Sequence, residues 1–393
     1  MAFHFARHDL AKAIADQLSP DPLFGASAGL FLAAPRRTGK SSFLRLDLVP
    51  ELEARGRLAI YVDLWTDKAR DPGELIAEAL AQTIDSLATR SERLWRSLPF
   101  SRITVGGIAA DLPKAAARGS ATLAQALVEI GDRAQSDVVF IIDEAQQALS
   151  SKAGIDAMFA LKAARDQMNQ RKGAPHLFLL FTGSHRDKLA ALVLTHKQPF
   201  YGARVQDFPR LGRGYIETLV AQMNPRLAPG NQLDEGDVMR AFELLGHRPE
   251  KLLDVVRDHA LGEAGSAGLR RTVTERADHL RARIWQQHQS DYGLLGDLQR
   301  VVLRRLIEDG PAFAPFSAPT LARIAGDLGT SVTTSEVQKA LDDLRDKSIV
   351  WRPERGVYAL EDQDMRDWLL SDHIRDAPAH QAFTADYRGL NNS

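Results

Sequence analysis

The sequence predicts an α/β domain built on a parallel sheet, followed by a helical region and a small domain of three helices and a hairpin. Three observations lead to this prediction. Short apolar runs alternate with helical patterns over the first two-thirds of the chain. Strand signals stop after about residue 211. From residue 295, three helical patterns precede two short strand-like runs. The alternation in the first part is typical of doubly wound α/β domains.

The strands are predicted by short apolar runs that are rich in β-branched and aromatic residues and are bounded by polar or turn residues. Runs that are apolar throughout indicate strands buried on both faces, as in a parallel sheet. These runs cover residues 29–34, 57–65, 138–142 and 176–183, with a fifth short strand at 203–208. Helices are predicted at 8–18, 41–55, 73–97, 121–134 and 155–170. The expected architecture is a three-layer sandwich with helices on both faces of the sheet.

The remainder of the chain is predicted to be mainly helical. Helices are expected at 214–223, 235–245 and 249–261, followed by a long basic helix at 267–288. Three more at 296–308, 319–327 and 333–346 precede a hairpin at 349–360. Three helices followed by a two-stranded wing form a winged-helix arrangement. The predicted domains are a core at 1–212, a helical lid at 213–265, a linker helix at 266–290, a winged-helix domain at 291–372 and a tail at 373–393.

The composition excludes several classes of protein. A chain of 393 residues is expected to form two or three globular domains. It has no cysteine, which excludes disulfides, thiolate metal sites and cysteine nucleophiles. No apolar stretch reaches the roughly 20 residues that a membrane-spanning helix needs. The first residues lack the apolar core of a signal peptide. We therefore expect a cytoplasmic protein with no membrane partner.

Residues 34–41 read A-P-R-R-T-G-K-S and match the phosphate-binding pattern G-x-x-x-x-G-K-[ST], with Ala34 in place of the first glycine. The segment follows a predicted strand and begins a predicted helix. Backbone N–H groups of such a loop and the N-terminus of its helix bind phosphate oxygens. Lys40 offers a mobile charge to the β- and γ-phosphates, and Ser41 offers its hydroxyl to Mg²⁺. The candidate nucleotide-binding residues are Pro35, Arg36, Arg37, Thr38, Gly39, Lys40, Ser41 and Ser42.

Two further strands end in residues that suit phosphoryl transfer. The apolar run 138–142 delivers Asp143 and Glu144 to its C-terminal end. Asp143 can hold Mg²⁺ through water, and Glu144 can polarise the attacking water as a general base. The run 176–183 is followed by Ser184, which can lie beside the γ-phosphate and that water. The predicted ligands are therefore ATP and Mg²⁺, with Ser41 and Asp143 on the metal.

The segments PRRTGKSS, IIDEAQ, FTGS and PFYGAR, in that order and spacing, resemble AAA+/STAND-type P-loop ATPases, in particular the archaeal-ATPase-like group with a C-terminal winged helix. The domain layout is similar to that of origin-recognition initiators. The resemblance implies that Lys40 and Ser41 belong to Walker A, Asp143 and Glu144 to Walker B, and Ser184 to sensor 1. It also implies that the Walker B strand lies between the P-loop strand and its neighbours.

Arginines outside the phosphate loop are further candidates. Arg204, in PFYGAR, occupies the place where related proteins carry an arginine that faces a nucleotide, in cis or from a neighbouring copy. Such an arginine stabilises the charge of the phosphoryl-transfer transition state. Arg248, in GHRPEKLL, lies where related proteins place a sensor 2 arginine, but their order is often G-x-P-R. A surface location is the alternative for both residues.

The charge distribution bears on the partner of the winged helix. The net charge of the chain is −1, whereas residues 285–393 carry 12 Lys and Arg against 17 Asp and Glu, a net −5. Most DNA-binding modules present a basic face. We therefore favour an ATP-hydrolysing switch whose winged helix binds a protein partner. A DNA-binding, initiator-like ATPase and a non-hydrolysing nucleotide-binding scaffold are the alternatives, and self-association is compatible with each.

Overall fold

The computed structural model describes residues 3–20, 28–67, 69–90, 98–112, 119–194, 196–261, 272–353, 356–361 and 363–371. The chain forms two compact units. One is Ala6–Phe208, and the other combines Met1–Phe5 with Pro209–Ser393. The predicted tail at 373–393 lies outside the described residues, as do residues 266–271 of the predicted linker helix. None of the described helices has an apolar stretch long enough to span a bilayer.

The first unit is built on a five-stranded parallel sheet. Its strands are β1 (Leu30–Ala33), β2 (Leu58–Asp63), β6 (Val138–Asp143), β7 (Leu177–Gly183) and β8 (Val205–Asp207). Their order across the sheet is β2-β6-β7-β1-β8. The expectation that the Walker B strand, β6, lies between the P-loop strand β1 and its neighbours is wrong, because β6 lies between β2 and β7. The register pairs Asp63 with Asp143 and Ala33 with Gly183, so the C-terminal strand ends align at one edge.

Alternate residues of each strand pack into two separate apolar cores, because successive side chains of a strand point to opposite faces of the sheet. On β6, Phe140 and Ile142 pack on one side of the sheet, whereas Val139 and Ile141 pack on the other. The helices of this unit are α1 (His8–Gln17), α2 (Lys40–Phe43), α3 (Val49–Ala54), α4 (Pro72–Arg90), α5 (Leu123–Ala134), α6 (Lys152–Asn169) and α7 (Arg186–Ala190). A π-helical turn, Leu44–Leu48, joins α2 to α3. The predicted α/β sandwich is confirmed.

A second, three-stranded sheet was not predicted. It consists of β3 (Arg102–Val105), β4 (Ile108–Asp111) and β5 (Ser120–Thr122), in the order β4-β3-β5. Each strand is only three or four residues long, too short for a clear apolar pattern. The dipeptide Gly106-Gly107 between two alternating runs is nevertheless a hairpin signal. Both glycines have positive φ, 58° and 87°, as such a turn requires.

The second unit contains the predicted lid and winged-helix elements. Its helices are α8 (Arg213–Met223), α9 (Glu235–Leu244), α10 (Pro249–Leu261), α11 (Val273–Gly293), α12 (Asp297–Asp309), α13 (Ala318–Leu328), α14 (Thr334–Asp346) and α15 (Gln363–Leu370). A short antiparallel pair, β9 (Val350–Trp351) and β10 (Ala359–Leu360), follows α14. This is the predicted arrangement of three helices and a hairpin. The additional helix α15 was not predicted.

Capping explains several of these helix starts. Thr272 and Glu275 form a capping box at α11, and Thr333 and Glu336 form one at α14. In each box the threonine hydroxyl accepts from the backbone N–H three residues on, and the glutamate accepts from the threonine N–H. Two separate apolar clusters stabilise the unit, one around Phe242 in α8–α11 and one around Leu341 in α12–α15.

Candidate active site

The loop between β1 and α2 changes backbone handedness twice. Arg37 has φ 66° and Gly39 has φ 85°, both in the left-handed region. The Thr38 hydroxyl donates to the Pro35 carbonyl at 2.8 Å and closes the turn. A Cβ added at Gly39 would meet nothing within 4 Å, so its φ is what requires glycine there. Alternating handedness of this kind forms the concave backbone that binds anions.

Lys40 begins α2 and is 5 % exposed. Its ammonium contacts the Asp143 carboxylate closely and lies 3.3 Å from Glu144 Oε1. It also donates to the Thr182 hydroxyl at 3.1 Å. A buried ammonium must be paired to offset its lost hydration. The two carboxylates at the end of β6 therefore hold the Lys40 side chain in this structure.

Asp143 is fully buried and accepts hydrogen bonds on both oxygens. Oδ2 accepts from Ser41 Oγ at 2.5 Å and from the Tyr61 hydroxyl at 3.1 Å. Oδ1 accepts from Thr182 Oγ1 and from the Glu144 N–H. Burial raises the pKa of Asp143, but the Lys40 ammonium and the Ser41 and Thr182 hydroxyls together lower the pKa by more than burial raises it. The net pKa lies below the ordinary value, and the carboxylate is ionised.

Glu144 follows Asp143 with φ 53°, a conformation that non-glycine residues seldom adopt. Its Oε2 accepts from Ser184 Oγ at 2.6 Å and from Gln146 Nε2 at 2.5 Å. A Cβ at Gly183 would come within 2.5 Å of Gln146 Oε1, so glycine makes room for that amide. Left-handed backbone outside glycine occurs where surrounding contacts enforce it, often at functional sites. The Glu144 carboxylate is thus held by donors on three sides.

Ser184 connects Glu144 to the phosphate loop. Its Oγ lies 3.4 Å from Arg36 Nε and 3.4 Å from Gln146 Nε2. The Arg36 guanidinium stacks over the Trp65 ring, with its carbon 4.6 Å from the ring centroid. Since Arg36 Nε only donates, Ser184 accepts there and directs its own proton to Glu144.

The phosphate loop and Glu144 line one cavity of 330 Å³. A volume of about 300–1,000 Å³ is usual for a small-molecule site. The cavity is lined by Pro35, Arg36, Arg37, Thr38, Gly39, Lys40, Ser41, Ser42, Asp63, Trp65 and Glu144. The predicted loop residues and the predicted general base thus lie in one place.

Comparison with solved structures identifies the fold. The Walker-type ATPase of Pyrococcus abyssi matches with a TM-score of 0.55 and 18 % identity, over 93 % of this chain and 96 % of that chain. The molecule has the fold of a P-loop ATPase. The resemblance that the motifs indicate is confirmed at the level of the fold.

Two ORC proteins of Aeropyrum pernix match this chain with lower TM-scores. The ORC2 protein of Aeropyrum pernix in its ADP form has a TM-score of 0.48 and 15 % identity, over 93 % of this chain and 94 % of that chain. The ORC1 protein of Aeropyrum pernix, solved in complex with DNA, has a TM-score of 0.38 and 16 % identity, over 93 % and 91 %. No protein-family model and no curated protein matches the sequence.

The two arginines outside the loop have different surroundings. Arg204 is exposed and lies one residue before β8, level with Leu30 of β1 by the register. On β1, the strand ends three residues after Leu30, at Ala33, and the P-loop follows it. Arg248 is in the second unit and forms an ion pair with Asp364 at 2.9 Å, with both side chains mostly buried. The roles of both residues stay predictions.

Several residues of this cluster were not predicted from the sequence. They are Tyr61, Asp63, Trp65, Gln146 and Thr182. Asp63 and Thr182 end or nearly end strands of the same sheet edge, so strand-end position was a usable signal. Burial raises the pKa of Asp63, the Trp65 N–H opposes this, and the Asp143 and Glu144 charges raise the pKa further. Trp65 lies in a turn after β2, and Gln146 lies in the 3₁₀ helix Ala145–Ser150 after β6, which is too short for a clear periodic pattern.

Proposed function

We propose that the protein is an ATP-hydrolysing molecular switch. The observation that carries this proposal is that Lys40, Ser41 and Glu144 line one cavity at the phosphate loop, and that Asp143 and Ser184 are hydrogen-bonded to them. Those five residues supply the parts that phosphoryl transfer requires, namely a cationic cradle, a metal site and a polarised water. The P-loop ATPase fold agrees with this chemistry.

The nucleotide phosphates would be held by the loop 35–42 and by Lys40. Ser41 Oγ and Asp143 Oδ2 lie 2.5 Å apart, and a hydroxyl with a carboxylate is an oxygen donor set that suits Mg²⁺. Bound Mg²⁺ would supply positive charge to the phosphate oxygens. Lys40 would exchange its carboxylate partners for the phosphates, while Ser41 and Asp143 remain beside the metal.

Hydrolysis would use Glu144 as the general base. The oxygen of water forms a bond to the terminal phosphorus, and the bridging bond to ADP breaks. Glu144 takes a proton of the water on a carboxylate oxygen, and Ser184 and Gln146 orient that carboxylate through their hydrogen bonds to Oε2. ADP and phosphate are the products.

We propose that Arg204 acts on the nucleotide of a second copy of the chain. It lies before β8, about 10 Å along the strand direction from the sheet edge that carries the P-loop. That position favours a role in trans over a role in cis. Arg248 would report nucleotide state from the lid, which requires it to leave Asp364.

The nucleotide state would be transmitted to the C-terminal domain and to a protein partner. On α14, the acidic residues Glu336, Asp342, Asp343 and Asp346 outnumber Lys339 and Arg345. This surface suits a protein partner better than the phosphates of DNA. Binding of duplex DNA with a steep salt dependence would favour the initiator-like alternative instead.

The test combines binding and turnover in three variants. Lys40→Ala should abolish ATP binding. Glu144→Gln should keep ATP and Mg²⁺ binding but lower hydrolysis by about 10²–10⁴-fold, because an amide cannot take the proton. Asp143→Asn should weaken Mg²⁺-dependent binding as well. Turnover by Glu144→Gln at the parent rate would refute the general base, and equal ATP affinity of Lys40→Ala would refute the site.

A further inference from the structure

Arg36, in the phosphate loop, has a side chain that contacts Ser184 beside the proposed general base. Its Nε lies 3.4 Å from Ser184 Oγ, and that oxygen lies 2.6 Å from Glu144 Oε2. Ser184 therefore links the Arg36 guanidinium to the Glu144 carboxylate, which would activate water. Arg36, Lys40 and Glu144 line the same cavity.

Trp65 gives the guanidinium its orientation. The ring lies 4.6 Å from the guanidinium carbon, within the range of cation–π stacking. Stacking leaves the edge of the guanidinium open for hydrogen bonds. Among the contacts of the described residues, Arg36 uses Nε alone, and its two terminal nitrogens have no hydrogen-bond partner. Two parallel N–H donors on a planar cation match the oxygens of a phosphate.

We propose that Arg36 acts in cis as the cation for the terminal phosphate of ATP, and that Trp65 holds its guanidinium in place until the nucleotide binds. This proposal rests on the proposed ATPase function and specifies how the γ-phosphate is recognised. In the transition state of hydrolysis, the three γ-phosphoryl oxygens share negative charge while the bridging bond to ADP breaks. Arg36 would contact those oxygens opposite Lys40, with Ser184 keeping the guanidinium close to Glu144.

A contact between Arg36 and the γ-phosphate should affect binding of ATP and not of ADP, whereas a general role in nucleotide binding would affect both. ADP has no γ-phosphate, so Arg36 has nothing to contact there. Arg36→Ala should therefore weaken binding of a non-hydrolysable ATP analogue by about tenfold or more, the usual effect of losing a charged hydrogen bond. Its affinity for ADP should change by less than about threefold. ATP turnover should fall by about 10³-fold, as for arginines that act in phosphoryl transfer.

The experiment measures the affinities for ADP, for ADP with aluminium fluoride and for the ATP analogue, together with ATP turnover, in the full chain. Aluminium fluoride should tighten ADP binding in the parent and not in Arg36→Ala. Arg36→Lys should recover part of the affinity for the ATP analogue. The matched control is Arg102→Ala, since Arg102 is an exposed arginine of the same unit that pairs with Asp111 outside the cavity.

Trp65 is tested separately, because its proposed role is to position Arg36. Trp65→Phe keeps an aromatic face, whereas Trp65→Leu removes it. Turnover should be roughly two- to fivefold lower in the leucine variant than in the phenylalanine variant, as expected from the energy of one exposed cation–π contact. ADP affinity should be the same in both.

The outcomes separate this proposal from the ATPase function itself. If the parent does not turn over ATP, the proposed function fails, but a selective loss of ATP-analogue affinity in Arg36→Ala still supports γ-phosphate recognition. If the parent turns over ATP and Arg36→Ala does so equally fast, the Arg36 proposal is wrong. An equal loss of affinity for ADP and for the ATP analogue overturns it as well.

Discussion

The ionised form of Asp63 is destabilised by burial and by the neighbouring carboxylates. Its carboxylate accepts the Trp65 N–H at 2.8 Å and lies beside Asp143 in the sheet register. Burial, together with the neighbouring charges of Asp143 and Glu144, raises its pKa above the ordinary value despite the Trp65 N–H. The folded state therefore binds a proton more tightly than the unfolded state. Asp63 lowers stability as the pH rises through its raised pKa.

Asp63→Asn should therefore raise the melting temperature at pH 7, since an amide keeps the acceptor and removes the charge. The difference should shrink below about pH 4, where the parent residue is protonated in both states. Asp67→Asn is the matched control, because the exposed Asp67 likewise accepts the N–H two residues on, at 3.0 Å. Thermal unfolding from pH 3 to pH 8 measures both variants. A difference that is constant over this range would contradict the charge explanation.

The unpredicted hairpin β3–β4 contacts α6 through its turn. A Cβ at Gly106 would come within 2.4 Å of the Ala153 carbonyl oxygen, which is backbone and cannot move aside. A Cβ at the adjacent Gly107 would meet nothing within 4 Å. Both positions have positive φ, so the two glycines share the conformational requirement and differ in the space around them.

This difference provides a matched pair of variants. Gly107→Ala should cost about 1 kcal/mol, the penalty for a left-handed residue with a side chain. Gly106→Ala should cost about 3 kcal/mol, because overlap with α6 adds to that penalty. Urea denaturation of the full chain compares the free energies of unfolding. Equal losses would mean that the hairpin does not pack on α6 in solution.

Because the chain is divided into two compact units, we expect two unfolding transitions. The residues that line the cavity at the phosphate loop all belong to the unit Ala6–Phe208. A ligand stabilises the unit that binds it, by about 2.7 kcal/mol at a concentration 100 times its dissociation constant. Calorimetry with ADP and Mg²⁺ should therefore raise one transition and leave the other nearly unchanged. A single transition that shifts as a whole would show that the two units unfold together.

Fold and site were predictable from the sequence to different degrees. The parallel sheet was predictable because strands such as β6 and β7 are apolar at every position and buried on both faces. The proximity of Lys40 to Asp143 and Glu144 was predictable, because the phosphate-loop pattern places Lys40 after one strand and an apolar run places the two carboxylates at the end of another. Strand order was not, since chain order does not specify which strand pairs with β1.

The residues that tune the site were harder to predict for a physical reason. Trp65 and Gln146 act through contacts with Arg36 and Glu144, which are 29 and 2 positions away in the chain. The directions of their side chains depend on a turn after β2 and on the short 3₁₀ helix Ala145–Ser150 after β6. Tyr61 and Thr182 lie within strands, where their polar atoms have no signature beyond an interruption of the apolar run. Only the packed sheet brings their hydroxyls to Asp143.

The pairing of Lys40 with Asp143 has a consequence for protons. Lys40 is the strongest influence that opposes the effect of burial on the Asp143 pKa. When Lys40 turns to the phosphates, burial acts on Asp143 with less opposition, and the affinity of the carboxylate for a proton rises. Nucleotide binding without Mg²⁺ should then take up protons from the buffer, and Mg²⁺ should suppress this uptake. Titration calorimetry in two buffers of different ionisation enthalpy measures the uptake, which Asp143→Asn should abolish.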